Sequence, residues 1–283
     1  MTAPLMPVDI YYKNRATGEI GTAQMTRYPD GTPMLKCDAV PDLILCRTPY
    51  VAHFMAMLWW VDALRDRGHI HMIDLILPTV IGSRQDRLMG PGGDQLFTLK
   101  GVAMAINSRR FGKVIVIDPH SDVTPGLIDR CQVVTAANCL TLLPELPDVD
   151  VVIGPDAGAA KRAEGVAKLI KKPFVQAWKT RNPATGELSG FGCEPLPAGA
   201  KRALLVDDLC DAGGTFLGLA NELRKRGEIY LDLYVTHGFF TKGLEALAAN
   251  FTRIYTTDSV IAERNHKQLT VIPVASEILL GAQ

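Results

Sequence analysis

A strand-like run that ends in acids and glycines could bind a sugar phosphate. The segment Ala203–Thr215 (ALLVDDLCDAGGT) begins as an apolar run, continues through two adjacent acids and a third acid, and ends in glycines that open a helix-like pattern. These positions are Asp207, Asp208, Asp211, Gly213 and Gly214, with Ala212 and Thr215 completing the loop. Glycines let a backbone wrap around a phosphate, and the free N–H groups of a helix N-terminus bind one.

Carboxylates at the end of the same strand accept hydrogen bonds from vicinal sugar hydroxyls. The pattern therefore predicts a sugar-phosphate site at the carboxyl edge of a parallel sheet. The structural alternative is an ordinary strand-to-helix turn that Asp211 and Thr215 cap. The paired acids ahead of the glycines favour the functional interpretation.

Other polar residues also follow predicted strands. Lys179 and Arg181 come after a strand and precede Asn182–Pro197, a Gly- and Pro-rich segment that is long for a connection and predicts a mobile lid. Asp156 precedes a predicted helix, where an acid is a favourable cap, and His120 lies in a loop after another strand. Each has a purely structural explanation as well: a basic solvated loop, a helix cap and an ordinary loop histidine.

Short β-branched runs alternate along the chain with longer helical patterns. The predicted strands are Leu43–Cys46, Ile73–Leu77, Lys113–Asp118, Val149–Gly154, Pro173–Ala177, Ala203–Asp207, Ile229–Thr236 and Thr252–Thr256. The predicted helices are Tyr50–Arg67, Gln95–Ser108, Ala157–Ile170, Gly213–Arg226 and Lys242–Ala249. This alternation predicts an α/β chain with mainly parallel sheets and helices on both faces. Strands of that kind are buried on both sides, which explains continuous apolar runs such as VIVID.

The length of 283 residues allows one large domain or two medium ones. The segment Leu142–Asp148 (LLPELPD) carries two prolines and precedes a new strand. We therefore place a boundary there, which gives two domains at residues 1–143 and 144–283.

Charge and hydropathy exclude several classes of protein. Lys plus Arg and Asp plus Glu each total 30, so the net charge is zero and no general attraction to nucleic acid or to an anionic membrane is expected. The longest apolar stretch, Val51–Leu64, is too short to span a bilayer and contains His53 and Asp62. The six cysteines form no C-x-x-C pair and the start of the chain has no signal pattern, so we expect a cytoplasmic protein with reduced thiols and no zinc.

The motif V-D-D-x-x-D-x-G-G-T resembles the PRPP-binding loop that type I phosphoribosyltransferases share with PRPP synthetases. Two further segments distinguish these groups. Val152–Ala163 (VIGPDAGAAKRA) resembles the diphosphokinase loop that holds metal and diphosphate, and Pro78–Arg87 (PTVIGSRQDR) resembles the ATP loop of the same family. Arg27–Thr32 (RYPDGT), Val116–Asp122 (VIDPHSD) and Thr236–Gly238 (THG) are similar to its adenine segment, its D-x-H segment and a strand-end motif. These matches occur in family order along nearly the whole chain, which is thereby identified as a member of the ribose-phosphate diphosphokinase (PRPP synthetase) family.

The resemblance implies two similar phosphoribosyltransferase-type domains, an N-terminal one that binds ATP and a C-terminal one that binds a sugar phosphate. It implies transfer of the diphosphoryl group of ATP to the 1-hydroxyl of ribose 5-phosphate, with Mg²⁺. It also implies a homo-oligomer, at least a dimer, because the family's adenine segment reaches into the ATP site of a neighbouring subunit.

The resemblance assigns roles residue by residue. The implied catalytic residues are Lys179, Arg181 and His120, and the implied metal contacts are His120 and Asp156. The implied ATP contacts are Tyr28, Asp30, Arg84, Gln85, Asp86 and His120. The implied sugar-phosphate contacts are Asp156, Asp207, Asp208, Asp211, Ala212, Gly213, Gly214 and Thr215. We assign no role to Lys161 and Arg162, which we expect on a solvated helix face.

Three positions depart from the family pattern. Ala212 stands where the family has Thr or Ser, Thr32 replaces a Glu, and LMGPGGDQ follows Arg87 without the usual charged residues. The loss of a hydroxyl donor at Ala212 suits an acceptor whose 5-phosphate is a diester, such as ADP-ribose. Two further functions stay open, that of a non-catalytic regulator and that of a transferase that consumes PRPP.

Overall fold

The structure is a computed structural model that describes residues 9–37, 39–69, 71–88, 96–181, 188–260 and 265–281. Its strands are β1 (Asp9–Lys13), β2 (Ile20–Thr22), β3 (Gln24–Arg27), β4 (Pro33–Lys36), β5 (Leu43–Arg47), β6 (Asp74–Leu77), β7 (Val114–Ile117), β8 (Cys131–Val134), β9 (Val151–Gly154), β10 (Phe174–Arg181), β11 (Leu188–Cys193), β12 (Arg202–Cys210), β13 (Tyr230–Gly238), β14 (Arg253–Thr257) and β15 (Leu269–Ile272). Its helices are α1 (Val51–Asp66), α2 (Thr98–Asn107), α3 (Val123–Leu127), α4 (Ala136–Leu140), α5 (Ala160–Ile170), α6 (Gly214–Arg224), α7 (Glu245–Ala248) and α8 (Val274–Leu280). A 3-10 helix, Ala157–Ala159, precedes α5.

The chain forms two compact units. One unit runs to Val134 and includes the C-terminal helix α8, and the other runs from Thr135 to Pro273. Helix α8 packs against β5 and β6, and Lys13 Nζ donates to the carbonyl of Leu280 at 2.6 Å, which ties the chain end to the first unit. Helix α4 packs against α5. The segment before the expected boundary at residue 143 therefore lies in the second unit, and the last helix lies in the first.

The first unit is built on a six-stranded sheet in the order β2-β1-β5-β6-β7-β8. Strands β5 to β8 are parallel, whereas β1 pairs antiparallel with both β2 and β5. Phe54, Leu58, Leu75 and Phe111 belong to the buried core of this unit. The antiparallel pair β3-β4 forms a separate hairpin that packs against α1.

The second unit has a seven-stranded sheet in the order β11-β10-β9-β12-β13-β14-β15. All neighbours are parallel except β10 and β11. The central strand β12 is buried at Leu204, Leu205 and Val206, as expected for a strand covered on both faces. The two mainly parallel sheets with flanking helices confirm the predicted α/β class.

All eight predicted strands and all five predicted helices have counterparts, with shifted ends. The helix predicted from Gln95 begins at Thr98, with Gln95 outside the described residues, and the one predicted over Lys242–Ala249 is confined to α7. The segment predicted as a lid contains the regular strand β11, while residues 182–187 lie outside the described part of the chain. The elements that the sequence did not predict are β1 to β4, β8, β11, β15, α3, α4 and α8.

All six cysteines are free thiols, and four of them are buried. Among the described residues, no helix combines the length and the apolar character needed to cross a membrane.

Gly218 sets how closely α6 approaches β11, and its replacement tests that packing. A methyl group on Gly218 would overlap the ring of Phe191. We predict that Gly218→Ala lowers the free energy of unfolding by ~1–2 kcal/mol, because overpacking outweighs the better helix propensity of alanine. Gly165→Ala in α5 is the matched control, since nothing lies within 4 Å of its added methyl, and it should stabilise by ~0.5–1 kcal/mol. Urea unfolding measures both, and equal stabilisation by both substitutions contradicts the packing argument.

Candidate active site

The loop between β12 and α6 has the geometry predicted for a phosphate cradle. Gly213 has φ 82° and ψ 0° at the N-cap of α6, a left-handed conformation that glycine adopts without strain. Gly213 has no side chain, so the N-cap of α6 makes no side-chain hydrogen bond to the first turn. Thr241 Oγ1 donates to Asp211 Oδ1 at 2.6 Å and holds the outer part of the loop. The helix N-terminus therefore presents its N–H groups without a side-chain cap.

Ala212, Gly214 and Thr215 complete this loop. Gly214 is exposed, and nothing lies within 4 Å of a Cβ built on it. Ala212 and Thr215 are half-buried. The helix start is thus open on the Gly214 side, where an anion can approach the backbone closely.

The two adjacent acids lie inside β12 rather than after it, because the strand continues to Cys210. Asp208 is 6% exposed, and its backbone N–H donates to Asp207 Oδ1 at 2.8 Å. Burial, and then the carboxylates of Asp208 and Asp156, raise the pKa of Asp207 well above its usual value, against the opposing effects of the Asp208 N–H and of Arg162. The carboxylates of Asp156, Asp207 and Asp208 are therefore close enough to interact electrostatically.

Asp156 begins the 3-10 helix that follows β9. Its Oδ1 accepts from the backbone N–H groups of Gly158 and Ala159 at 2.9 and 3.2 Å, so the predicted helix cap is present. Its Oδ2 lies 2.5 Å from Lys179 Nζ. Because β9 pairs in parallel with β10 and β12, the ends of these strands meet at one sheet edge. That pairing brings the cap residue, the cation and the acidic pair together.

The expectation that Arg162 sits on a solvated helix face is wrong. Its side chain is only 8% exposed, and its Nη1 lies 3.8 Å from Asp207 Oδ1. The signal was in the helix period: Arg162 lies three residues after buried Ala159 and four before buried Val166, which puts it on the inner face. Lys161, by contrast, is exposed as expected.

Other predicted residues of the second unit have different surroundings. Arg181 ends β10, but its side chain lies outside the described part of the structure. His237, in the strand-end motif, is 5% exposed, and its Nδ1 lies 2.8 Å from Ser259 Oγ. Thr236 uses its carbonyl to accept from the hydroxyls of Thr257 and Ser259. The end of β13 is therefore a buried polar network that holds the neighbouring loop in place.

In the first unit, two predicted ATP segments meet. Asp86 is 3% exposed and pairs with Arg87, with Oδ1 at 2.7 Å from Nε. The hydrogen bond from Arg87 and a further one from Ser121, with the charge of His120, lower the pKa of Asp86 to about 2 although burial opposes them. The loop after β7 thus contacts the segment after β6. Asp86 is buried where it can hold this loop, and its contact with ATP stays a prediction.

The remaining predicted ATP residues of this unit are exposed or belong to the hairpin. Arg84, Gln85 and His120 are exposed, and Thr98 Oγ1 donates to Gln85 Oε1 at 2.5 Å. Tyr28 Oη donates to Met34 Sδ at 3.1 Å, and Asp30 Oδ1 accepts from the N–H of Thr32 at 2.9 Å.

The hydrogen bonds of these two hairpin residues stay within β3-β4 and its turn. The structure therefore groups the predicted ATP residues into one set around the Asp86 loop and another on the hairpin.

Comparison with known proteins finds curated relatives and a solved structure that match most of the chain. No protein-family model matches. A ribose-phosphate pyrophosphokinase of Maricaulis maris is 27% identical over 279 residues, which cover 91% of this chain and 87% of the relative. One of Rhizobium meliloti is 30% identical over 244 residues, 81% of this chain and 74% of the relative. The crystal structure of phosphoribosylpyrophosphate synthetase from Mycobacterium smegmatis matches with a TM-score of 0.75 and 25% identity, and the match covers 91% of this chain and 87% of that one.

The left-handed backbone at Gly213 predicts a difference between two neighbouring substitutions. An alanine there has positive φ, and its Cβ lies 3.0 Å from Leu247 Cδ2, so we expect Gly213→Ala to cost ~1–2 kcal/mol of stability. Gly214→Ala has neither problem and should change stability by less than ~0.5 kcal/mol. Thermal and urea unfolding of both variants provide the test. Equal losses in the two variants would show that the loop does not depend on this conformation.

Proposed function

The chain belongs to the ribose-phosphate pyrophosphokinase family, and from that membership we propose that it transfers the β,γ-diphosphoryl group of ATP to the 1-hydroxyl of ribose 5-phosphate. The products are PRPP and AMP. One observation carries the proposal: an uncapped, glycine-started helix and a partly buried acidic pair lie on one strand-loop-helix unit, beside an acid paired with a lysine. The helix start and the acidic pair suit the binding of a sugar phosphate. The acid with its lysine suits the transfer of a diphosphoryl group.

The 5-phosphate binds at the start of α6 in this proposal. The backbone N–H groups of Gly213, Gly214 and Thr215 donate to its oxygens, and the helix dipole favours its negative charge. Asp211 keeps the loop in place through Thr241. Asp207 and Asp208 accept hydrogen bonds from the 2- and 3-hydroxyls, so that the 1-hydroxyl faces the diphosphate.

The reaction forms a bond between the sugar O1 and the β-phosphorus. The bond from that phosphorus to the bridging oxygen breaks, the oxygen leaves with AMP, and the proton of the 1-hydroxyl is released to solvent. Such transfers depend on in-line placement and on neutralisation of charge. Lys179 and Arg181, both on β10, supply positive charge to the transferring group. The ammonium group of Lys179 lies beside Oδ2 of Asp156. In this proposal that contact keeps the positive charge close to the diphosphoryl group.

The implied cofactor is Mg²⁺, with Asp156 and His120 as its proposed contacts. Mg²⁺ prefers carboxylate oxygens, and it usually takes one or two of them together with substrate phosphates and waters. Among the described residues, no group of three or more His, Cys, Asp or Glu side chains is placed to hold an ion unaided. The fit is therefore to an ion that arrives with ATP, and when bound it neutralises phosphate charge.

We propose that the first unit recognises ATP through two sets of residues. Arg84, Gln85 and His120 lie exposed around the loop that Asp86 holds, and their polar groups suit phosphate and nucleotide contacts. Tyr28 and Asp30 stand on the exposed hairpin, where Tyr28 is 52% exposed.

An exposed aromatic residue beside an acid suits a nucleobase. We propose that it serves the ATP site of a second copy, so that the enzyme is a homo-oligomer, at least a dimer, that works in the cytoplasm. Sedimentation velocity tests the assembly, and a pure monomer contradicts it.

ADP-ribose is the second candidate acceptor, because two features of the loop favour it. Ala212 provides no hydroxyl for a terminal phosphate, and the space beside Gly214 is open. A phosphate diester carries less charge and needs fewer donors, and its second half needs room. ATP and Mg²⁺ with ribose 5-phosphate, with ADP-ribose or with neither, followed by chromatography of AMP, identify the acceptor.

The same experiment distinguishes a diphosphokinase from a regulator, and a further arm with PRPP and a base detects a transferase that consumes PRPP. A diphosphokinase forms AMP only when its acceptor is present. Absence of AMP with both acceptors supports a non-catalytic regulator, and release of pyrophosphate from PRPP in the presence of a base supports a PRPP-consuming transferase.

Lys179 provides the sharpest test of the proposed chemistry. We predict that Lys179→Ala lowers kcat by ~10²–10³-fold with a much smaller change in the KM of the sugar, because the cation stabilises charge on the group in transfer. Lys172→Ala, which removes a surface lysine paired with an exposed acid, is the control and should keep normal turnover. Steady-state AMP formation measures both, and a Lys179→Ala enzyme with normal kcat rules out the role.

A further inference from the structure

We propose that Arg162 is a positioning residue of the sugar site, which holds Asp207 so that its outer oxygen faces the sugar hydroxyls. The inference rests on the proposed function, since it names how this chain orients the acids that bind the acceptor. In this proposal Arg162 affects sugar binding by orienting Asp207, and it does not contact the substrate itself.

The contacts of Asp207 show which of its oxygens is committed. Oδ1 accepts from the backbone N–H of Asp208 at 2.8 Å and faces Arg162 Nη1 at 3.8 Å. At that distance the arginine acts as an ion-pair partner rather than a hydrogen-bond donor. Within the described part of the chain, both contacts of this carboxylate use Oδ1, which leaves Oδ2 for a ligand.

Burial makes Arg162 a permanent partner in this cluster. Its side chain is 8% exposed, whereas that of Lys179, the other cation at this edge, is 22% exposed and pairs with Asp156. A guanidinium stays protonated at every working pH, and its planar shape limits the positions it can take. Arg162 therefore supplies fixed positive charge behind Asp207.

A cation at the position of Arg162 in α5 is unfavourable for the helix unless a nearby acid compensates for it. It is the third residue of α5, near the positive end of the helix dipole, where a cation is disfavoured. A buried charge also needs a partner of opposite sign. Asp207, within β12, is such a partner. Locally unfavourable residues of this kind are expected at functional sites.

The test compares Arg162→Met with Arg162→Lys and with the control Lys168→Met, which removes an exposed cation from the same helix. We expect Arg162→Met to raise the KM of ribose 5-phosphate about tenfold to hundredfold, with the KM of ATP nearly unchanged. Arg162→Lys should recover part of the loss, and the control should match wild type. Steady-state kinetics, calorimetric titration with ribose 5-phosphate and thermal unfolding are measured on each protein.

The outcomes separate this inference from the proposed function. A wild-type protein that neither forms AMP nor binds ribose 5-phosphate fails the proposed function. An active wild type with an unchanged sugar KM in a folded Arg162→Met protein overturns the role of Arg162, as do equal rises in both KM values. If Arg162→Met does not fold, Arg162→Lys decides: a raised KM for the sugar alone supports the role, and an unchanged one overturns it.

Discussion

Several carboxylates lie close together at a partly buried edge of the sheet in the second unit, and the arrangement of its strands and helices must compensate for their repulsion. Asp156, Asp207 and Asp208 repel one another there, and burial raises the pKa of Asp207 further. Arg162, at 3.8 Å from Asp207, opposes that rise, and Lys179 lies 2.5 Å from Asp156 as its ion-pair partner. Each partner comes from a different element, so the cluster holds its geometry only when β9, β10, β12 and α5 are all in place.

Strand order satisfies that requirement. With β12 in the centre and β9 beside it, the acid-bearing end of β12 meets the cap residue that follows β9. With β10 on the other side of β9, Lys179 reaches the same carboxylate. Helix α5 packs on β9, β10 and β12 together, and it carries Arg162 on its inner face. A change of order in this sheet would separate Asp156 from Lys179 and Asp207 from Arg162.

Much of this arrangement was predictable from sequence, because its parts have strong local signals. The continuous apolar runs predicted every central parallel strand, and the acid-glycine pattern predicted the loop at Gly213. Strands such as β2, β11 and β15 were missed because they are short or partly exposed and depend on a neighbouring strand for their conformation. The solvated face expected for Lys161 and Arg162 holds only for Lys161, because the helix phase of Arg162 places it on the inner face. The distance from Asp156 to Lys179 depends on strand pairing, which single-sequence patterns do not determine.

The two cations of the cluster differ in a way that matches a transfer reaction. Arg162 enters from a helix packed on the sheet and has almost no exposed surface, so its charge is a fixed part of the site. Lys179 stands on β10 with more of its side chain exposed, and the oxygen that it holds belongs to a proposed metal contact. An ammonium on a flexible stem can exchange one anionic partner for another, whereas a buried guanidinium keeps its position. In the proposed function the fixed charge of Arg162 positions an acid of the sugar site, and the more exposed Lys179 supplies charge to the group in transfer. The two proposed roles thus fall to two residues that differ in burial.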